Sequence, residues 1–313
     1  IEDLDSLPFP AYQLFPPFSK YSPNFNAGGR CSGIIMSSRG CTFSCPFCYC
    51  PDFWGKKYRV RSPSSVVDEM EYLRDEFGVE FIDFSDDTFT LDMVRAERIC
   101  DEIIKRKVGL NFSILTRVDT VNKNLLRKLA DAGCEKIQYG VETASSRLLK
   151  STEKGITVEG IEKALKLTRE ARIETIVNLI HGLPGETVSD IELTFQFLKR
   201  NRENIDQLHS TIAVILPGTA LHERGKRLGL IDDEVWFSYN SNHPLLSLDP
   251  SLRRLPPYLE NFKLEELIRF LRLTNILFHS RKRQYKLTMQ AIMGYAWNYW
   301  MSPGKYLDLI KCL

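Results

Sequence analysis

No apolar run in this sequence is long enough to span a bilayer, and no charged-then-apolar leader opens it, so no membrane span is expected. Neither charge sign dominates. Lysine and arginine total 42 against 40 acidic residues, a net charge of +2, which gives no global electrostatic case for nucleic acid or a membrane surface as the main partner. No internal repeat or low-complexity tract appears. The eight cysteines are neither evenly spaced nor set in a short loop-rich chain, so a secreted disulfide scaffold is not expected and a cytoplasmic setting with reduced thiols is. Hydrophobic residues make up 43% and charged ones 26% of 313, enough for a well-filled core in one large domain or two smaller ones. The first residue is Ile1, not methionine, which is compatible with a fragment or a processed protein.

Residues 1–30, with "LPFPAY", "FPPF" and "NFNAGG", carry no helical or strand period and read as an irregular proline- and aromatic-rich linker. From Gly33 short apolar runs alternate with amphipathic stretches. Strands are expected at 33–38, 79–84, 111–115, 136–141, 175–180 and 208–215. Helices are expected over Ser64–Phe77, Leu91–Lys107, Asn122–Ala132, Thr157–Ala171 and Val188–Asn201, with capping residues in "SPSSVVDEM" and "TVNKNLL" and closing glycines at Gly78, Gly109 and Gly133. Strand and helix in series predict an α/β fold with parallel strands, an open sheet or a partial barrel. Past about residue 225 the alternation stops. "LEELIRFLRLTNILF" and "MQAIMGYAWNYWM" predict a small helical C-terminal region, giving a linker at 1–30, a core at 31–225 and a helical region at 226–313.

Four cysteines crowd into "RGCTFSCPFCYC". Cys41, Cys45 and Cys48 form C-x3-C-x2-C directly after the first predicted strand, and thiolates this close can converge on one inorganic centre. Three centres compete. Structural zinc usually takes four ligands, commonly as separated pairs. A redox dithiol needs only C-x-x-C beside a thioredoxin-like unit. A [4Fe–4S] cluster held by three thiolates keeps one iron open, and the spacing fits this best. Cys50 and Cys31 fall outside the spacing and read as small hydrophobes, as do Cys100 and Cys134.

The three-cysteine pattern, with Phe47 just before its last member, resembles the radical S-adenosylmethionine superfamily. The resemblance implies a partial (β/α)6 TIM-like barrel, a [4Fe–4S] cluster on Cys41, Cys45 and Cys48, and S-adenosylmethionine chelated at the open iron. It also implies reductive cleavage of that molecule to methionine and a 5′-deoxyadenosyl radical. A low-potential electron donor, such as a flavodoxin or ferredoxin, would supply the electron. The series "DLDSLPFPAY", "RGCTFSCPFCYC", "RSPSSVVDEM", "FSDDTF", "YGVET", "HGLPGE" and "PGT" is similar to the cobalamin-associated branch, which includes methyltransferases and enzymes like the anaerobic porphyrin-ring cyclases. In that branch a B12-binding domain precedes the "LPFP" linker, where this chain begins. Either that domain is lost or removed, or the protein works without cobalamin. A methylthiotransferase would need a second three-cysteine motif, which the remaining cysteines do not form.

Parallel α/β sheets react at the C-terminal ends of their strands, and the unusual polar residues collect there: "SDDTF", "TRVD", "GVET", "HGLPGE" and "PGT". Asp86 and Asp87 suit either the cap of the helix expected near Leu91 or the amino group of a ligand. Arg117 suits either Asp119 or a ligand's carboxylate or ribose. Glu142 suits two ribose hydroxyls. "HGLPGE" has no P-loop lysine behind it, so it is a poor phosphate site. By resemblance, Ile180 and Gly182 belong to a "GxIxGxxE" element flanking adenine, with Asn178 in place of its first glycine. A small-molecule or lipid-like substrate is expected, of unspecified identity. Tyr295, Trp297, Tyr299 and Trp300 suit either helix packing or an apolar mouth, and the basic run 279–286 either a solvated face or weak contact with anionic lipid.

Overall fold

The computed structural model describes residues 1–20, 27–232 and 256–279. Six strands form one parallel sheet: β1 (Ser32–Ile35), β4 (Phe81–Phe84), β5 (Asn111–Thr116), β6 (Cys134–Glu142), β7 (Glu174–His181) and β8 (Gln207–Ile212). Their order across the sheet is their order in the chain, and every pairing is parallel. A doubly wound sheet must reverse direction at a switch point. This sheet never does, so crossovers of one hand place the connecting helices on one face, which is the winding of a barrel left open between β1 and β8. The expected partial (β/α)6 barrel is therefore the architecture found.

The helices follow from the same patterning. They are α2 (Pro63–Phe77), α3 (Met93–Arg106), α4 (Lys123–Asp131), α5 (Ser146–Ser151), α6 (Val158–Glu170) and α7 (Val188–Arg200), with the short α1 (Cys50–Trp54) before them and α8 (Ala220–Arg227) after. Side-chain caps start them: Ser62 accepts from Ser65 N–H, Asp92 from Arg95 N–H and Asn122 from Leu125 N–H. Val66, Met70, Ile99, Leu125 and Ile161 meet the helix-facing side chains Ile82, Phe112, Ile137 and Tyr139 in one continuous core. Of the three expected closing glycines, Gly78 ends α2 in the left-handed conformation, whereas Lys107 follows α3 and Ala132 follows α4, with Gly109 and Gly133 just beyond.

At the first and last strands the structure departs from the sequence reading. The first apolar run breaks after Ile35, and Ser38–Arg39 become β2, antiparallel to β3 (Arg59–Val60). The cause is Asp86, which binds Ser37 and Ser38 and draws the chain off the sheet. The last run leaves the sheet after Ile212, because Ala213 and Ile215 exchange backbone hydrogen bonds with Pro256 and Tyr258. The helix α9 (Leu264–His279) packs on β7, β8 and α7. The expected second C-terminal helix, its four aromatic residues and the basic run past His279 lie outside the described residues. Among the described residues no helix is long and apolar enough to cross a membrane.

Candidate active site at the strand ends

The ribbon of β2 and β3 carries residues 40–49 over the C-terminal rim of the sheet. Three anchors fix it. Asp86, 2% exposed, accepts Ser37 N–H at 2.7 Å and the Ser37 and Ser38 hydroxyls at 2.6 and 2.5 Å. Asp87 accepts Gly40 N–H at 3.1 Å. The Leu221 N–H, in the first turn of α8, donates to the Pro46 carbonyl at 2.9 Å. Gly40 has φ +93, and a Cβ there would lie 2.0 Å from the Lys57 carbonyl oxygen, so the turn into the cysteines admits glycine alone. Neither aspartate caps α3; Asp92 does. Burial raises the Asp86 carboxyl, against the pull of Ser37 and Ser38.

Cys41 is 9% exposed, with its Sγ 3.7 Å from Thr88 Oγ1, while Cys45 and Cys48 are half-buried. Burial pushes the Cys45 thiol up, and the charges of Lys154 and Arg117 pull it back. Burial pushes Cys48 up as well; the Cys50 N–H, 3.4 Å from its sulfur, opposes this, and Cys45 and Cys41 add to it. Cys50 is buried against Asp87, and its thiol is raised by that burial first. Among the described residues no three His, Cys, Asp or Glu side chains converge as a single metal ion requires. Three thiols on one rim with two cations beside them nonetheless fit an iron–sulfur cluster: the donors are soft, and the cations offset thiolate charge.

Two of the expected residues, Arg117 and Glu142, meet opposite this loop. Arg117, at the end of β5, makes a bidentate pair with Asp119, both contacts 2.8 Å, donates to the Lys154 carbonyl at 2.5 Å, and lies with its guanidinium carbon 3.5 Å from the centre of the Phe43 ring. The pairing with Asp119 leaves the guanidinium against the loop aromatic. Glu142 ends β6 at φ +67, a left-handed backbone that costs a non-glycine residue about 1–3 kcal/mol. Its carboxylate pairs with Lys154, whose side chain is 6% exposed. The Lys154 Nζ also stands 5.9 Å from the Phe47 ring. Gly140 makes room for this pair, since a Cβ there would approach Glu142 Oε1 to 2.6 Å and Lys154 Nζ to 2.9 Å.

Phe47 and Ile180 both pack against the apolar group of Ala213, Ile215, Leu221 and Tyr258. Gly182, at φ +85, donates its N–H to Glu186 at 2.5 Å, and a Cβ there would meet Leu267 at 2.9 Å. Asp86 stands apart from this group, fully engaged beneath the loop. Lys154 and Phe43 escaped the sequence reading. Lys154 follows α5, a six-residue helix too short to show a period, and a buried lysine looks like any exposed one in sequence. The assembled rim offers cations for a carboxylate, a carboxylate for an ammonium or hydroxyls, an apolar wall for a flat ring, and three thiols.

Comparison with known proteins bears on this arrangement. A family model described as the radical SAM superfamily matches residues 35–198. An uncharacterized methyltransferase of Pyrococcus horikoshii is 32% identical over 283 residues, covering 90% of this chain and 58% of that protein. The anaerobic magnesium-protoporphyrin IX monomethyl ester cyclase of Rubrivivax gelatinosus is 31% identical, over 68% of this chain and 38% of that enzyme. This chain thus spans about half the length of the curated relatives it matches. Among solved structures, the radical S-adenosylmethionine methyltransferase TsrM from Kitasatospora setae, with tryptophan and a SAM analogue bound, matches with TM-score 0.52 and 28% identity, over 58% of this chain and 35% of that one. The same enzyme with cobalamin and a [4Fe–4S] cluster bound matches in fold with TM-score 0.58 and 23% identity, over 72% and 46%.

Proposed function

The chain belongs to the radical S-adenosylmethionine superfamily, and on that premise we propose that it is the catalytic core of a cobalamin-dependent C-methyltransferase. The observation that carries the reading is the convergence on one rim of three loop thiols with the buried Glu142–Lys154 pair and Arg117. Cys41, Cys45 and Cys48 would hold a [4Fe–4S] cluster, which when bound supplies one electron to S-adenosylmethionine. A flavodoxin- or ferredoxin-like donor is the corresponding partner.

The protein's own part is binding, orientation and exclusion of water. Glu142 and Lys154 now satisfy one another inside the rim. An amino-acid sulfonium bearing both a carboxylate and hydroxyls can take the two apart at little cost, with Lys154 pairing with the carboxylate and Glu142 accepting from the ribose hydroxyls. Arg117, locked by Asp119 and stacked on Phe43, adds fixed positive charge beside Cys45. Asp87 shapes the loop through Gly40, and Asp86 anchors its stem. Ile180, Phe47 and the glycine edge at Gly182 form an apolar wall suited to a purine.

Support for cobalamin comes from the "LPFP" linker signature and from the TsrM likeness; B12 would be held by a domain beyond this segment. A second reading, ring formation without methyl transfer, is favoured by the likeness to the protoporphyrin cyclase. The test is anaerobic incubation of cluster-loaded protein with dithionite and S-adenosylmethionine. Formation of 5′-deoxyadenosine is expected. A reduced cluster that leaves S-adenosylmethionine intact would show an electron-transfer module instead.

A further inference from the structure

Below the rim, the concave face of the sheet carries a polar row. On parallel strands in register, neighbouring residues point to the same face. Gly140, Asn178 and His209 are such neighbours on β6, β7 and β8, and Gln138 lies one step below Gly140 on the same face. Gln138 Nε2 donates to Asn178 Oδ1 at 2.8 Å and faces His209 Nδ1 at 3.5 Å. All three side chains are half-buried. One amide proton of Gln138 is thereby committed to Asn178, and the other side of the amide nitrogen faces His209. What remains is the Gln138 carbonyl oxygen and the Asn178 NH2, which make no hydrogen bond to any described residue. If both amides are turned over, the pair still presents one acceptor and one donor, so the pattern does not depend on their assignment.

The surroundings make this pair part of a lumen. Asn178 is in register with the glycine over which Glu142 and Lys154 fold, and two residues further along its strand is Ile180 of the apolar wall. One layer deeper, the floor is closed by Ser113 bonded to Asp83 and by Lys136 facing Glu174 at 3.6 Å. Two amides, one oriented by the other, hold a polar edge in a half-buried site where an unanswered donor or acceptor is costly.

We propose that Gln138 and Asn178 read the substrate at the bottom of the lumen, recognising a group with adjacent hydrogen-bond acceptor and donor, as in a lactam or carboxamide edge, with His209 as the positioning residue that orients Gln138. This rests on the lumen being the substrate chamber of the radical enzyme proposed above. The adenine of S-adenosylmethionine has a similar edge, so the two sources must be separated.

The probes are 2-pyridone, which has both groups, and N-methyl-2-pyridone, which lacks the donor, followed by ligand-observed NMR on the cluster-loaded protein. The wild type is expected to bind 2-pyridone about tenfold more tightly than its methylated form, the loss of one hydrogen bond. Gln138→Leu and Asn178→Leu should each abolish that preference while leaving the unfolding transition unchanged, and Gln138→Leu should also leave S-adenosylmethionine binding unchanged. His209→Leu should weaken the preference, and His209→Asn, which keeps an acceptor near Gln138, should restore it. Equal binding of the two probes by the wild type, or a preference that survives both leucine variants, overturns the proposal. Stoichiometric displacement of 2-pyridone by S-adenosylmethionine overturns it in favour of adenine. Formation of 5′-deoxyadenosine by the same preparation is scored separately, so failure of the radical-enzyme reading is distinguishable from failure of this one.

Discussion

Replacing Glu186 with glutamine should change how stability depends on pH, in a direction opposite to that expected for most buried carboxylates with ion-pair partners. Glu186 is 2% exposed and accepts the Gly182 N–H at 2.5 Å, at the end of the strand that carries Ile180. Burial pushes its carboxyl from the ordinary 4.5 up to about 7, against the pull of the Gly182 and Leu183 N–H groups. Between these values the folded state holds a proton that the unfolded chain has released, so stability falls as pH rises from 4.5 to about 7. The gap corresponds to about 3 kcal/mol. Two residues before the Leu183 N–H, His181 does the reverse. Burial drops its imidazole from 6.5 to about 4, with Nε2 3.0 Å from Thr274 Oγ1. The unfolded chain takes up that proton first, so this contribution is fully present above 6.5 and is lost as pH falls toward about 4, again by about 3 kcal/mol. Over the shared window the two slopes oppose one another. Urea unfolding of wild type and Glu186→Gln across this range, followed by circular dichroism, isolates the Glu186 part as the difference between them. Expected is a difference that grows in favour of the variant as pH rises. A flat difference, or one that shrinks, would refute the burial argument for Glu186.

Lys154→Met should strand the Glu142 carboxylate inside the rim and cost about 3–5 kcal/mol, whereas Glu142→Gln combined with Lys154→Met should recover much of it; thermal unfolding of the two variants measures this. Asp86→Ala removes the acceptor of three hydrogen bonds in a buried site and should cost about 3 kcal/mol or more, with chymotryptic cleavage moving into the Phe43–Tyr49 segment; unchanged protease resistance would show that Asp86 does not anchor the loop. Cys45→Ala should abolish the iron–sulfur absorbance of the reconstituted protein, while Cys50→Ala should retain it; loss in Cys50→Ala would reassign the ligands.

The barrel core was legible because parallel strands and their helices obey two periods, and because helix starts carry caps such as Ser62 and Asn122 that bind a nearby N–H whatever the tertiary context. What was not legible depended on groups distant in sequence. The break after Ile35 is imposed by Asp86, 49 positions away from the Ser37 it binds. The burial of Lys154 requires Gly140 to lack a side chain and Glu142 to adopt a left-handed backbone. In the site, spacing marked Cys41, Cys45 and Cys48, and position at the strand ends marked Asp86, Asp87, Arg117 and Glu142. Position did not separate Asp86, which anchors the stem of the loop, from Glu142, which faces the site, because both are acids just past a strand. Only the hydrogen bonds of the folded chain divide them.

The most direct measurement is anaerobic reconstitution of the purified chain, with metal and sulfide content determined and the electron paramagnetic resonance spectrum of the reduced protein recorded with and without S-adenosylmethionine. Expected is an iron–sulfur cube whose signal shifts when S-adenosylmethionine is added, as an iron without a protein ligand requires. Zinc in place of iron, or a cluster signal indifferent to S-adenosylmethionine, would contradict the assignment of the three loop thiols and the chemistry built on them.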